Sequence, residues 1–102
     1  MQEKLTKLLQ ALQGYRPQRI ILFGSVARGE ADADSDLDVL VIKDTTDPFV
    51  HRLEVMATLC PIGVHADIMV YTPHELQQMA DDENPFILRA LREGKIVYEA
   101  GP

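Results

Sequence analysis

The chain has 102 residues, 46% of them hydrophobic, and sixteen acidic against ten basic side chains give it a formal charge of −6. This fits one small globular domain over residues 1–102, able to bury most but not all of its apolar surface, and it argues against a general electrostatic attraction to nucleic acid. The single cysteine, Cys60, excludes an internal disulfide and a thiolate metal cluster, and no apolar run reaches membrane-spanning length, so a soluble protein of the reducing cytoplasm is expected, without a membrane partner.

Leu5, Leu8, Leu9 and Leu12 fall on one face of a first helix, and Gly14 sits where a helix stops. Arg16-Pro17-Gln18 breaks that pattern and leads into a strand over Arg19 to Phe23. The strand ends on Gly24-Ser25, and Val26 to Glu30 reads as a short helix that Ser25 can cap. Such a strand-turn-helix leaves backbone N–H groups pointing outward, an arrangement suited to phosphate oxygens. A loop over Ala31 to Ser35 precedes a second strand, Asp36 to Lys43, whose Val39-Leu40-Val41-Ile42 run implies burial on both faces.

Asp47-Pro48 caps and opens a second long helix, along which Phe49, Leu53, Met56 and Cys60 recur, and Cys60 is expected in the core. After Pro61 and Gly63, Val64 to Tyr71 alternates as a third strand, with Val64, Ala66, Ile68 and Val70 on one face and His65, Asp67 and Met69 on the other. Thr72-Pro73-His74-Glu75 is a capping box for a helix through Leu76, Met79 and Ala80. Asn84-Pro85 starts the last helix, with Phe86, Ile87, Leu88 and Leu91 as its apolar face. Gly94 stops it before a short edge strand at Ile96-Val97-Tyr98.

Chemistry concentrates in the acidic middle. Between Glu30 and Asp47 lie seven carboxylates and one base, Lys43, a density that cations can neutralise. Asp36 and Asp38, two apart on an extended segment, leave the same face with α-carbons roughly 6.5–7 Å apart. Asp67 is a poor strand former at mid-strand and needs a partner such as Arg19 or Lys43, a metal, or a cleft. If Asp67 lies on a neighbouring strand, three carboxylates converge, a donor set for magnesium or manganese rather than zinc. A Walker loop is excluded because no Gly-Lys-Ser/Thr occurs. A calcium loop on the alternating aspartates fails too, with Leu37 where Gly is needed and Lys43 where a bidentate Glu is needed. Lys43, at the end of the carboxylate strand, is able to reach a phosphate but reads more readily as an exposed strand end, and Arg28 reads equally as a surface ion-pair residue or as a phosphate or partner contact.

Gly24-Ser25-x-Ala27-Arg28-Gly29, followed after five residues by Ser35-Asp36-x-Asp38, resembles the signature of the DNA polymerase β-like nucleotidyltransferase superfamily. With its short length and later Asp67, the chain is similar to the minimal nucleotidyltransferases of that superfamily. The resemblance implies an α/β (α+β) fold like the polymerase β palm, a small mixed sheet flanked by helices. It implies nucleotide binding at Gly24, Ser25, Arg28 and Ser35, and metal binding and catalysis at Asp36, Asp38 and Asp67. Magnesium or manganese would be the cofactor and ATP the substrate. Members of this group look like antitoxins encoded beside a helical HEPN-domain toxin, an RNase. The further implication is therefore AMP transfer to a tyrosine hydroxyl of that partner, with pyrophosphate released. Separately, the apolar surface that so short a chain leaves uncovered is compatible with a homo- or hetero-oligomer. Two alternatives stand beside it: a non-catalytic antitoxin that only binds its partner, and transfer to RNA or a small-molecule hydroxyl, of which the acidic surface disfavours RNA.

Overall fold

The computed structural model describes residues 2–27, 29 and 36–100, without the side chains of Gln2, Ser25 and Val26. Four strands, β1 (Arg19–Phe23), β2 (Leu37–Ile42), β3 (Ala66–Tyr71) and β4 (Lys95–Glu99), form one sheet in the order β3-β2-β1-β4. The helices are α1 (Gln2–Leu12), α2 (Gly24–Ala27), α3 (Phe49–Leu59), α4 (Pro73–Asp81) and α5 (Pro85–Glu93).

The apolar run of β2 places that strand inside the sheet, and Val39 to Ile42 are buried on both faces as expected. Val39 and Val41 join Ile20, Leu22, Ile68 and Val70 beneath Leu8 and Leu12 of α1 and Met56 of α3. Leu40 and Ile42 turn the other way with Ile21, and Phe23, Met69, Tyr71 and Leu76 of α4 pack on them. On this second side the Phe86 ring of α5 meets Phe23 edge-on, with centroids 5.5 Å apart. β1 pairs antiparallel with both β2 and β4, whereas β2 and β3 run parallel with α3 as the crossover between them. The result is the small mixed sheet flanked by helices, in a single domain. Among the described residues no helix is long and apolar enough to cross a membrane.

Element boundaries differ from expectation where turn chemistry intervenes. β3 starts at Ala66, because the Val64 N–H closes a turn onto the Pro61 carbonyl rather than joining the ladder. α2 starts at Gly24 itself, directly on the end of β1. Asp47 does not cap α3: the capping position is Pro48, while the Asp47 carboxylate meets His51 Nδ1 at 2.7 Å and its carbonyl accepts from Arg52 Nε. The Thr72 capping box and the Asn84 cap form as read. Cys60 is half-buried against the core, its thiol donates to the Val64 carbonyl, and burial pushes its pKa up.

Arg52 is the buried residue that hydrophobic periodicity passes over. The face of α3 that turns inward carries Arg52 and Met56, so Phe49 and Leu53 are each more than a third exposed. Arg52 donates through Nη1 and Nη2 to the two Glu75 carboxylate oxygens, at 2.6 and 3.2 Å, and through Nη1 to the Val70 carbonyl. One guanidinium thus ties α3, β3 and α4 together, and its hydrogen bonds hold the Glu75 carboxyl below its ordinary 4.5. A depressed folded pKa contributes stability that is complete above about pH 4.5 and is lost as acid carries the pH through the folded value. Glu75→Gln should cost roughly 1–3 kcal/mol at neutral pH, less than breaking a fully buried pair because the Glu75 side chain is partly exposed. Thermal melts across pH 3–7, as a rough range, should show a smaller acid-side drop for the variant than for wild type.

Candidate active site

Strand alternation and register bring the predicted carboxylates to one end of the second sheet face. Asp38 alternates with Leu40 and Ile42 on β2, and Asp67 alternates with Met69 and Tyr71 on β3. The two are register partners on parallel neighbouring strands, and on its other side Asp38 is opposite Phe23, the last residue of β1. Adjacent strands lie roughly 4.8 Å apart, which puts the carboxylates within reach of a shared cation. Asp36 immediately precedes β2 and is exposed.

Gly24 follows Phe23 with φ +77°, a conformation that L side chains rarely adopt. A Cβ at this position would collide with the Asp38 carboxylate, at Oδ2 first and then Cγ. The glycine therefore lets the strand-to-helix turn lie directly against the carboxylate that β2 supplies, and turn and acid form one structural unit. The Ser25 side chain, Arg28 and Ser35, the other expected nucleotide contacts, lie outside the described residues.

Asp38 and Asp67 open into a cleft of about 370 Å³ whose other walls are Phe23, Leu53, Ile68, Met69 and Phe86. A second cleft of about 230 Å³ shares Phe23 and Phe86 with it and is completed by Gly24, Arg89, Ala90 and Glu93. Sequence reasoning did not single out Leu53, Phe86 or Arg89 for the site. Phe86 was visible as part of an apolar helix face, yet nothing local shows that α5 crosses the end of β1.

The two cations expected as partners for Asp67 are engaged elsewhere. Arg19 pairs with Glu99 at 3.1 Å, and Lys43 Nζ donates to the Tyr15 and Arg16 carbonyls, so neither cation engages Asp67. Lys43 is half-buried against the Tyr15 ring and is directed away from the clefts, in place of the exposed strand end expected of it. Among the described residues no three His, Cys, Asp or Glu side chains form a closed ligand set, so the expected three-carboxylate convergence narrows to the Asp38–Asp67 pair with Asp36 beside it.

Residues 3–101 match the family model of polymerase beta, nucleotidyltransferase. The chain belongs to the polymerase β nucleotidyltransferase family. Two solved structures share its fold. A protein of Sulfolobus solfataricus assigned as a nucleotidyltransferase superposes with a TM-score of 0.68 at 16% identity, over 97% of this chain and 80% of the other. A chain of a toxin-antitoxin structure with AMP-PNP superposes with a TM-score of 0.60 at 21% identity, over 93% of this chain and 73% of the other. No curated protein matches the chain significantly. Family membership makes the carboxylate end of the sheet the place to look for nucleotidyl transfer, because there the glycine turn and the paired acids meet.

Proposed function

We propose that the protein transfers AMP from ATP to a hydroxyl, a tyrosine of a helical HEPN-domain toxin, and acts as that toxin's antitoxin. The observation that carries this reading is the contact between the Gly24 turn and Asp38, with Asp67 in register on the next strand. The likeness to a toxin-antitoxin structure with AMP-PNP supports the biological setting.

The donor set fits a divalent metal. Carboxylate oxygens are hard ligands, and magnesium is typically held by one or two carboxylates together with substrate phosphates and water rather than by a closed protein cage. Asp38 and Asp67, joined by Asp36, are the residues that would hold it, magnesium or manganese alike. When bound, the metal polarises the attacked phosphorus and offsets negative charge on the leaving group.

The chain's own residues do the rest. Backbone N–H groups of the Gly24-Ser25 turn, with the Ser25 hydroxyl and with Arg28 and Ser35 nearby in sequence, orient the triphosphate. The acceptor hydroxyl enters the carboxylate cleft, where the apolar walls Leu53, Ile68, Met69 and Phe86 suit an aromatic ring. Asp67, exposed at the cleft, takes the hydroxyl proton as the acceptor oxygen bonds to the α-phosphorus. The bond from that phosphorus to the β-bridging oxygen breaks, and its electron pair leaves with pyrophosphate.

The test is co-incubation of the protein with ATP, magnesium and the helical partner, followed by mass spectrometry of the partner and an assay of its RNase activity. A mass gain of one AMP on a tyrosine, with loss of RNase activity, is expected for wild type and not for Asp38→Asn. An Asp38→Asn variant that silences the partner fully would transfer the reading to a binding-only antitoxin.

A further inference from the structure

We propose that Arg89, on α5, binds the distal phosphates of the nucleotide and that Glu93 competes with them for it. This deepens the nucleotidyl-transfer reading and rests on it. The two clefts adjoin and meet at the Phe23 and Phe86 rings. One holds Asp38 and Asp67 and receives the acceptor. Displacement at phosphorus is in line, so the leaving group must depart on the side opposite the attacking oxygen. The second cleft, lined by Gly24, Arg89, Ala90 and Glu93, adjoins the first across the Phe23 and Phe86 rings and is the space open to the leaving group beside the Gly24 turn.

Charge points the same way. Asp38, Asp67 and Glu93 make the two clefts acidic, and Arg89 is the one cation among the described residues lining them. A triphosphate entering there gains from a fixed guanidinium whose planar fork matches phosphate oxygens. Arg89 is positioned for this. Its Nε donates to Glu93 Oε2 at 3.1 Å one helical turn away, and its side chain is 63% exposed, so its Nη groups are open to a ligand. An exposed i,i+4 pair is weak, so a phosphate can draw Arg89 from Glu93 at small cost.

The test is equilibrium binding of ATP and of AMP, each with magnesium, to wild type, Arg89→Ala, Arg89→Lys and Glu93→Gln. The Arg89 side chain is largely exposed and the Glu93 side chain half-buried, and neither belongs to the hydrophobic core. Arg89→Ala is expected to weaken ATP roughly tenfold or more while changing AMP less than about twofold, because AMP lacks the distal phosphates. Arg89→Lys should recover part of the loss, and Glu93→Gln should tighten ATP by roughly twofold to fivefold. Unchanged ATP affinity in Arg89→Ala, or equal weakening of ATP and AMP, would overturn the assignment while leaving the transferase reading intact. Wild-type protein that binds no ATP would overturn both.

Discussion

Asp38→Asn is expected to lower AMP transfer by more than about 100-fold while the protein stays folded. Mutating outer-shell partners of a metal site typically costs 10–100-fold, and Asp38 would itself be a ligand, so its loss should exceed that. Its place makes the effect specific. Asp38 is the central carboxylate, flanked by Phe23 on one strand and Asp67 on the other, and the Gly24 turn rests on its side chain. Asn keeps the shape and removes the charge that attracts the cation. Two carboxylates in register on neighbouring strands also repel when no cation lies between them, by an amount typical of cross-strand like charges, roughly 0.2–1 kcal/mol. Magnesium should therefore raise the Tm of wild type, because a ligand bound to the native state stabilises it, and should raise that of Asp38→Asn much less. Calorimetric melts with and without magnesium, beside single-turnover rates, separate loss of the metal site from loss of the fold.

Gly24→Ala should be the second severe change, and it acts through geometry rather than charge. Alanine pays a backbone penalty of about 1–2 kcal/mol at this positive φ. Its Cβ would also displace the Asp38 carboxylate. In a domain of this size 1 kcal/mol lowers Tm by roughly 4–8 °C. Transfer should fall much further than the melt implies, because the turn and the acid can no longer share their positions. A Gly24→Ala protein with wild-type rates would show that the close approach has no catalytic role. Gly94 is the comparison: its Cβ would meet the Ala90 carbonyl, Ile21 and the Leu22 carbonyl rather than the Asp38 carboxylate, so Gly94→Ala should lower Tm with a smaller loss of rate than Gly24→Ala.

The parts of this fold that could be read from the chain are those fixed by local chemistry. The β2 run needed apolar cover on both sides, the Thr72-Glu75 box and the Asn84 cap use their own neighbours, and Asp36, Asp38 and Asp67 stood out because aspartate has no packing reason to be on or beside a strand. What could not be read depends on distant partners. Arg52 looks like a surface residue until Glu75 is brought to it across 23 positions of sequence. Lys43 reads as an exposed strand end until the Tyr15 and Arg16 carbonyls arrive from the turn that follows α1. The cleft walls Leu53 and Phe86 share a site only because α3 and α5 approach the same end of the sheet from different parts of the chain. Side-chain alternation put Asp38 and Asp67 on definite faces of their strands, but only the parallel β2–β3 register made them partners.

If this end of the sheet transfers the α-phosphoryl group of ATP as AMP, the position of a radioactive label reveals it. Wild-type protein, magnesium and the helical partner would be incubated with ATP labelled at either the α- or the γ-phosphate. The prediction is α-label on the partner and γ-label released in pyrophosphate, with both outcomes absent in Asp38→Asn. Label on the partner from γ-labelled ATP, or label from neither while the two proteins remain tightly bound, would contradict it.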